Sequence, residues 1–424
     1  MNQNNQWDWE PGKRVLADFD SLETQYSKAF ETDASQDGEK FAAVVQTGEM
    51  EFGVCENGEV WENSFDKVWY MRYGADGRLA ALVSDTGMWT VAVDGVAWEE
   101  THEFVWSPRV SADGSHVAVT VQDATRHRMV LDGEAWENEF GTLTEGIISP
   151  DGTKTAAVVQ TVATNSGEIF EWQKGCYSVA VGGVPWEQNF VNVYEPTFSA
   201  DGARVAATVR TSLYQCTIVV DGKLWDTRYP AAWAPKFSPK NGAVTAPVKT
   251  SKGWVLAENG KPLWPRAFVQ LWRHAYSPDG SRIAAIVAPK FGRWTVAVDG
   301  RPWSATFGDL VDDMVFSPDG GKIACVAKDK GAYTVVVEGR PWPQTFDMAF
   351  RPVFSPNGET VAARVKKNGK YAIAVNGRIV ADGMEQAWDP AFSPSGDKLL
   401  VRGIDTESGR KYFRQILSLK GLIR

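Results

Sequence analysis

The sequence predicts an all-β fold, a β-propeller of about ten four-stranded blades. Three observations predict it: one turn motif recurs along the chain, strand-length apolar runs follow each copy, and the tryptophans fall in columns of the repeat. The motif is Phe-Ser-Pro-Asp-Gly, whole at Phe316–Gly320. Close variants occupy Ile148–Gly152, Phe198–Gly202, Tyr276–Gly280, Phe354–Gly358 and Phe392–Gly396, and weaker forms end at Gly38, Gly77, Gly114 and Gly242. Successive anchor glycines lie 39, 37, 38, 50, 40, 38, 40, 38 and 38 residues apart. A near-constant period of this length marks a repeat architecture.

Each part of the repeat has a physical reading. In the anchor, Pro presets φ, Asp bonds its own backbone and Gly takes positive φ, which together make a tight turn. A short apolar strand follows, such as Val361–Val365 or Ile323–Ala327. After a polar turn comes a β-branched strand closed by an acidic residue and Gly, as in Trp294–Gly300 and Tyr333–Gly339. The next element carries Trp with an aromatic four residues on, as in Trp303 and Phe307. A last strand leads into the next anchor. Four strands in about 39 residues, joined by tight turns, is one propeller blade. No continuous helical period interrupts the pattern.

The chain holds 19 tryptophans. Trp61, Trp98, Trp136, Trp186, Trp225, Trp264, Trp303 and Trp342 follow the second turn glycine of their repeats. Trp69, Trp106, Trp233, Trp272 and Trp388 precede the anchor, where Phe30, Tyr194 and Phe350 stand in other repeats. Trp89, Trp254 and Trp294 open the third strand. A large aromatic repeated at fixed positions is expected to pack blade against blade.

Composition narrows the function classes. Of 424 residues 43% are hydrophobic, and the net charge is −9. That balance argues against nucleic acid, whose binding needs a concentrated basic face. The N-terminus shows no basic and apolar leader pattern, and no run approaches the 18 apolar residues of a membrane span. The expected location is therefore cytoplasmic. Cys55, Cys176, Cys216 and Cys325 are scattered, without CxxC or CxxCH spacing and without a ligand-like relation to the four histidines. No haem, zinc or iron–sulfur pattern is present, and reduced structural thiols are expected.

A search for chemistry finds no nucleophile elbow, no Gly-rich nucleotide motif and no calcium loop. His102 stands in a column otherwise held by Phe or Tyr, and His127 replaces the aromatic that opens the third strand. His274 lies within a strand before an anchor, and His116 completes the histidines. The acidic residues around His102 recur after Trp in other repeats (Glu62, Glu137, Glu187). Catalysis needs a constellation peculiar to one repeat, and the sequence offers none. The expectation is a protein without catalytic residues, metal or cofactor.

The Ser-Pro-Asp-Gly anchor followed by an Ala/Val strand resembles the WD40-like repeat of TolB and tricorn-protease propellers, over about residues 20–420. The Gly-His and Trp-Asp signatures of true WD40 repeats are missing. The tryptophan-rich, haem-free chain also resembles the tryptophan-rich subunit of the transmembrane, cytochrome c3-linked redox complex of sulfate-reducing bacteria. That resemblance implies an accessory cytoplasmic subunit, peripheral to the inner membrane through its partners. Those partners would be other protein subunits, among them iron–sulfur and membrane cytochrome subunits.

Departures from the repeat suggest where function lies. The 50-residue spacing places extra residues in Thr161–Cys176, between strands, with Ile169, Phe170 and Trp172 as candidate partner contacts. The last repeat lacks its outer element after Tyr412–Leu419, while the N-terminus has a surplus. Arg14–Phe19 resembles a third strand, and Ser21–Tyr26 resembles a Trp-to-aromatic element with Leu22 in the Trp column. Residues 1–12 are then a tail, and 13–424 a propeller whose terminal strands close one blade, with Val15–Tyr26 pairing against Tyr412–Leu419. A single ring is favoured, with two tandem rings as the alternative. The function expected is a non-catalytic scaffold within a multiprotein complex. The alternatives are a carbohydrate- or peptide-binding propeller and a propeller partner of a separate peptidase.

Overall fold

A computed structural model describes residues 6–163, 169–407 and 409–421. The chain is an all-β propeller of consecutive antiparallel four-stranded modules. Eight modules form separate sheets, over residues 29–60, 67–97, 104–135, 143–185, 192–224, 236–262, 270–302 and 310–341. Modules 9 and 10 share one nine-stranded sheet, because the ten-residue strand Arg378–Ala387 serves both. Its first half pairs with Lys370–Val375 and its second with Lys398–Asp405. Two compact units divide the chain. One comprises residues 1–45, 55–60 and 268–424, the other residues 46–54 and 61–267.

The turns form as their residues dictate. In module 8 the Gly320 amide donates to the Ser317 carbonyl (2.8 Å), and the Gly321 amide to Asp319 Oδ1 (3.0 Å). Lys322 N donates to Ser317 Oγ (2.8 Å), so one buried serine closes the turn. The turn between third and fourth strands is fixed by its acidic or amide residue at positive φ. Asp299 (φ 49°) accepts from the Ile283 amide at 2.9 Å, and Asp94, Asp132, Asp221, Asn259 and Asn376 repeat the bond. Asp and Asn tolerate this conformation better than other residues, which explains the motif.

The second and third strands are buried on both faces, so they read as continuous apolar runs. Ala363 and Ala374 of module 9 meet Val326 and Val335 of module 8 around Trp342 and Phe346. Ile218 and Trp225 of module 5 meet Val244, Ala246 and Val255 of module 6. The indole column packs on the next module's turn glycine. A Cβ built on Gly183 would lie 3.0 Å from Trp136, and one on Gly339 would lie 3.0 Å from Trp303. The same contact links Trp61 with Gly95, Trp98 with Gly133, Trp186 with Gly222, Trp225 with Gly260 and Trp342 with Gly377. Trp136, Trp225, Trp264 and Trp342 are buried, and Trp61, Trp98, Trp186 and Trp303 are half-buried. The column before the anchor behaves differently. Trp69 is 58% exposed on the first strand of module 2, an edge of its sheet, and Trp233, 41% exposed, lies just before the short first strand Lys236–Phe237 of module 6.

The N-terminal strand Gly12–Asp18 pairs antiparallel with the C-terminal strand Lys411–Ser418, with Val15 opposite Phe413 and Asp18 opposite Lys411. It is the fourth strand of module 10. The sequence likens it to a third strand, but among the described residues it pairs with Lys411–Ser418 alone, at the edge of the sheet. The segment after it is a helix, Phe19–Gln25, and not a Trp-to-aromatic element. Asp18 caps it by accepting from the Ser21 amide (3.1 Å), and Glu23 and Gln25 favour a helix over a strand. Phe19 and Leu22 still turn into the core beside Phe41 and Tyr412.

Candidate interaction surface

The most exposed aromatics stand on turns between second and third strands: Phe170 in module 4, Tyr214 in module 5 and Phe291, 93% exposed, in module 7. In module 4 this connection holds the helix Ile169–Lys174, a second departure from the all-strand expectation. Its base is clamped. Thr161 N donates to the Cys176 carbonyl (2.9 Å), Cys176 N to the Phe190 carbonyl (3.0 Å) and Thr161 Oγ1 to Asn189 Oδ1 (2.6 Å). Gly175 N closes the helix end on the Trp172 carbonyl at 3.0 Å. Above this base Phe170 is 80% exposed and Val162 is exposed, while Trp172 is half-buried. The Ile169 side chain lies outside the described residues.

Module 5, the next sheet, adds residues that its ordinary spacing did not single out. Ser212 pairs with Gln215 across a two-residue turn of Leu213 and Tyr214, and Tyr214 is 83% exposed. The signal was present in the sequence, since Thr86-Gly87, Ser251-Lys252 and Lys330-Gly331 fill the same turn elsewhere. A cleft of about 540 Å³ opens beside the base of the module 4 loop, lined by Arg126, Glu139, Phe140, Gln160, Thr161 and Pro185 among others.

The titratable groups are placed structurally. His102 is buried, with Nδ1 2.8 Å from Asp123 Oδ2, and its backbone bridges to Trp89 as the aromatics of its column do elsewhere. His116 lies 2.6 Å from Asp132, the turn aspartate of its own module. His127 stacks edge-on against Trp106, and His274 is buried against Tyr276. All four cysteines are buried free thiols, and burial pushes those of Cys55, Cys176 and Cys325 up, away from the reactive thiolate. Among the described residues no group of three or more His, Cys, Asp or Glu is placed to hold a metal ion, and no helix is long and apolar enough to cross a membrane.

No protein-family model matches the chain, and no curated protein matches it. Among solved structures, a eukaryotic initiation factor is 12% identical, covering 82% of this chain and 96% of its own, with a TM-score of 0.45. The Dos1 propeller is 11% identical over 97% of this chain and 95% of its own, with a TM-score of 0.38. A puromycin hydrolase is 13% identical over 84% of this chain and 61% of its own, with a TM-score of 0.36. The propeller assignment rests on the repeat and the sheet topology.

Proposed function

We propose that this chain is a non-catalytic interaction scaffold that meets a protein partner through the second-to-third-strand turns of modules 4 and 5. The observation that carries the reading is the pair Phe170 and Tyr214, 80% and 83% exposed on turns of consecutive sheets with clamped bases. Large aromatics held in water by a rigid scaffold are the residue type that anchors protein interfaces. Wild-type protein and a Phe170→Ala/Tyr214→Ala variant, each purified from native membranes under mild detergent, test it. A co-purifying protein retained by the wild type and lost from the variant supports the surface. Equal retention by both contradicts it.

The finer reading is a cytoplasmic accessory subunit of a membrane-bound electron-transfer complex. What supports it is the tryptophan-rich sequence without cofactor motifs, and iron in the co-purifying subunits is its specific readout. We also infer that residues 13–424 form the propeller, with the terminal strands closing one blade and residues 1–12 as a tail. The pairing of Gly12–Asp18 with Lys411–Ser418 supports the closure by the terminal strands.

A further inference from the structure

The first strands of modules 2 and 3 share a bulge with those of modules 4, 5, 7 and 8 but differ from them in the residue that follows it. The register shifts between Trp69 and Arg72 and between Trp106 and Arg109, as it does between Thr144 and Ile147, Tyr194 and Thr197, Trp272 and Ala275, and Asp312 and Val315. Tyr70 and Ser107 take positive φ in the bulge, 58° and 52°, as Glu145, Glu195, Arg273 and Asp313 do in theirs. The residue after the bulge is arginine in both. In modules 4, 5, 7 and 8 the corresponding residue is Ile147, Thr197, Ala275 and Val315. This constellation is the kind of repeat-specific chemistry that marks a site on a repeated scaffold.

Arg72 and Arg109 line one cavity of about 330 Å³, wholly within the unit of residues 46–54 and 61–267. Its floor is apolar and buried, from Ala81, Leu82, Val91 and Val117, and Tyr70 stands at its wall. The Arg72 guanidinium lies 5.2 Å from the centre of the Tyr70 ring and donates from Nη1 to the Met71 carbonyl at 2.6 Å. Arg109 donates from Nε to the Gly146 carbonyl at 3.3 Å. Each head is thus oriented by the backbone with most of its five N–H donors unspent. Among the described residues neither forms an ion pair with a carboxylate, in a chain whose acidic residues outnumber its basic ones, 53 to 44.

We propose that this cavity binds a small molecule with an oxyanion head and an apolar body. The two guanidinium forks hold the head, since planar N–H pairs match carboxylate and phosphate oxygens bidentately. The aliphatic floor takes the body, and the volume falls in the range of small-ligand sites. The site is independent of the turn aromatics proposed as the partner surface, and neither arginine touches them.

Titration of the full chain by calorimetry with 4-phenylbutyrate, phenyl phosphate and neutral 4-phenyl-1-butanol tests it. The acids are expected to bind at least roughly tenfold more tightly than the alcohol, the share of one charge-assisted contact. Arg72→Gln and Arg109→Gln should each weaken the acids by a similar factor, leaving the alcohol and the melting temperature unchanged. The tighter of the two acids assigns the head as carboxylate or phosphate. Equal binding of acid and alcohol, undiminished binding in both variants, or no binding of any probe at millimolar concentration overturns the proposal.

Discussion

Where module 8 meets module 9, a Cβ built on Gly377 would lie 3.3 Å from Trp342 and one built on Gly358 would lie 3.3 Å from Ser317. Where module 10 meets module 1, a Cβ built on the anchor Gly38 would lie instead 3.0 Å from the methylenes of Arg402 and 3.2 Å from Arg414, two buried arginines. Arg402 donates to the Ser35 and Asp389 carbonyls, and Arg414 Nε to the Asp37 carbonyl (2.8 Å) beside Glu39. Tyr412 Oη donates to the Gly38 carbonyl at 3.0 Å, and Trp388 Nε1 to Asp33 Oδ1 at 3.0 Å. The ordinary seams use basic residues too, but as exposed or half-buried staples: Arg78 on the Gly114 carbonyl, Lys154 on Gly202, Arg204 on Gly242 and Arg282 on Gly320.

The difference has a physical cause. Consecutive modules are tethered by a short connection, so non-directional apolar contact suffices to dock them. Modules 10 and 1 meet through opposite chain ends, and an apolar face alone would leave their register open. Buried donors aimed at single carbonyls select one register, because any other leaves them unsatisfied.

The largest effect that would break this comparison comes from deleting residues 1–26. Module 10 loses its fourth strand, along with the Lys13–Asp405 and Arg410–Asp20 ion pairs. Hydrogen exchange at 398–418 should then accelerate strongly while the strands of modules 4 and 5 keep their protection. Unchanged exchange there would show that the end seam stands without the N-terminal strand.

At an ordinary seam, Trp225→Ala or Trp342→Ala should cost about 3–5 kcal/mol in denaturant unfolding, the usual cost of emptying a large aromatic site. At the end seam, Arg402→Met keeps the volume but strands two carbonyls, and a loss of about 1–3 kcal/mol is expected. A neutral or stabilising Met would mean that the buried charge is not what holds the contact. Gly339→Ala sharpens the ordinary case, since φ is 73° and the new Cβ would press on Trp303; about 1–3 kcal/mol is expected.

The smallest effect is a pH dependence at the anchor turns that carry a depressed aspartate, Asp113, Asp151, Asp201, Asp279, Asp319 and Asp397. Hydrogen bonds from Ser277, then Ser281, hold the Asp279 carboxyl down to about 2. A group depressed on folding stabilises the fold above its unfolded value and loses that contribution as pH falls through its folded one. The stability difference between wild type and Asp279→Asn should therefore be constant above about pH 5 and shrink between about pH 4 and pH 2. A pH-independent difference in thermal melts would remove the turn carboxylate from the account.

Much of this was legible in the sequence because each turn carries its own chemistry locally. Ser-Pro-Asp-Gly and Asp-Gly specify their hydrogen bonds within a few residues, and the tryptophan columns follow from the period. The long module 4 loop was visible as the 50-residue spacing. Three features do not show in the repeat spacing. The helix at Phe19–Gln25 is masked by Leu22 aligning with the Trp column, although its Asp18 cap is readable. Leu213 and Tyr214 fill a turn of ordinary two-residue length, so only their residue types, against Thr86-Gly87 and Lys330-Gly331, mark them. Arg72 and Arg109 stand 37 residues apart, and only the bulged first strands of adjacent sheets bring them to one cavity.

Native-state hydrogen exchange of the intact chain in rising denaturant tests the central claim most directly, that the end seam is an integral part of the fold. The account predicts that Gly12–Asp18 and Lys411–Ser418 open together, at one free energy and with one denaturant slope, as paired strands of a single module must. Free exchange of Gly12–Asp18 while Lys411–Ser418 stays protected would contradict it.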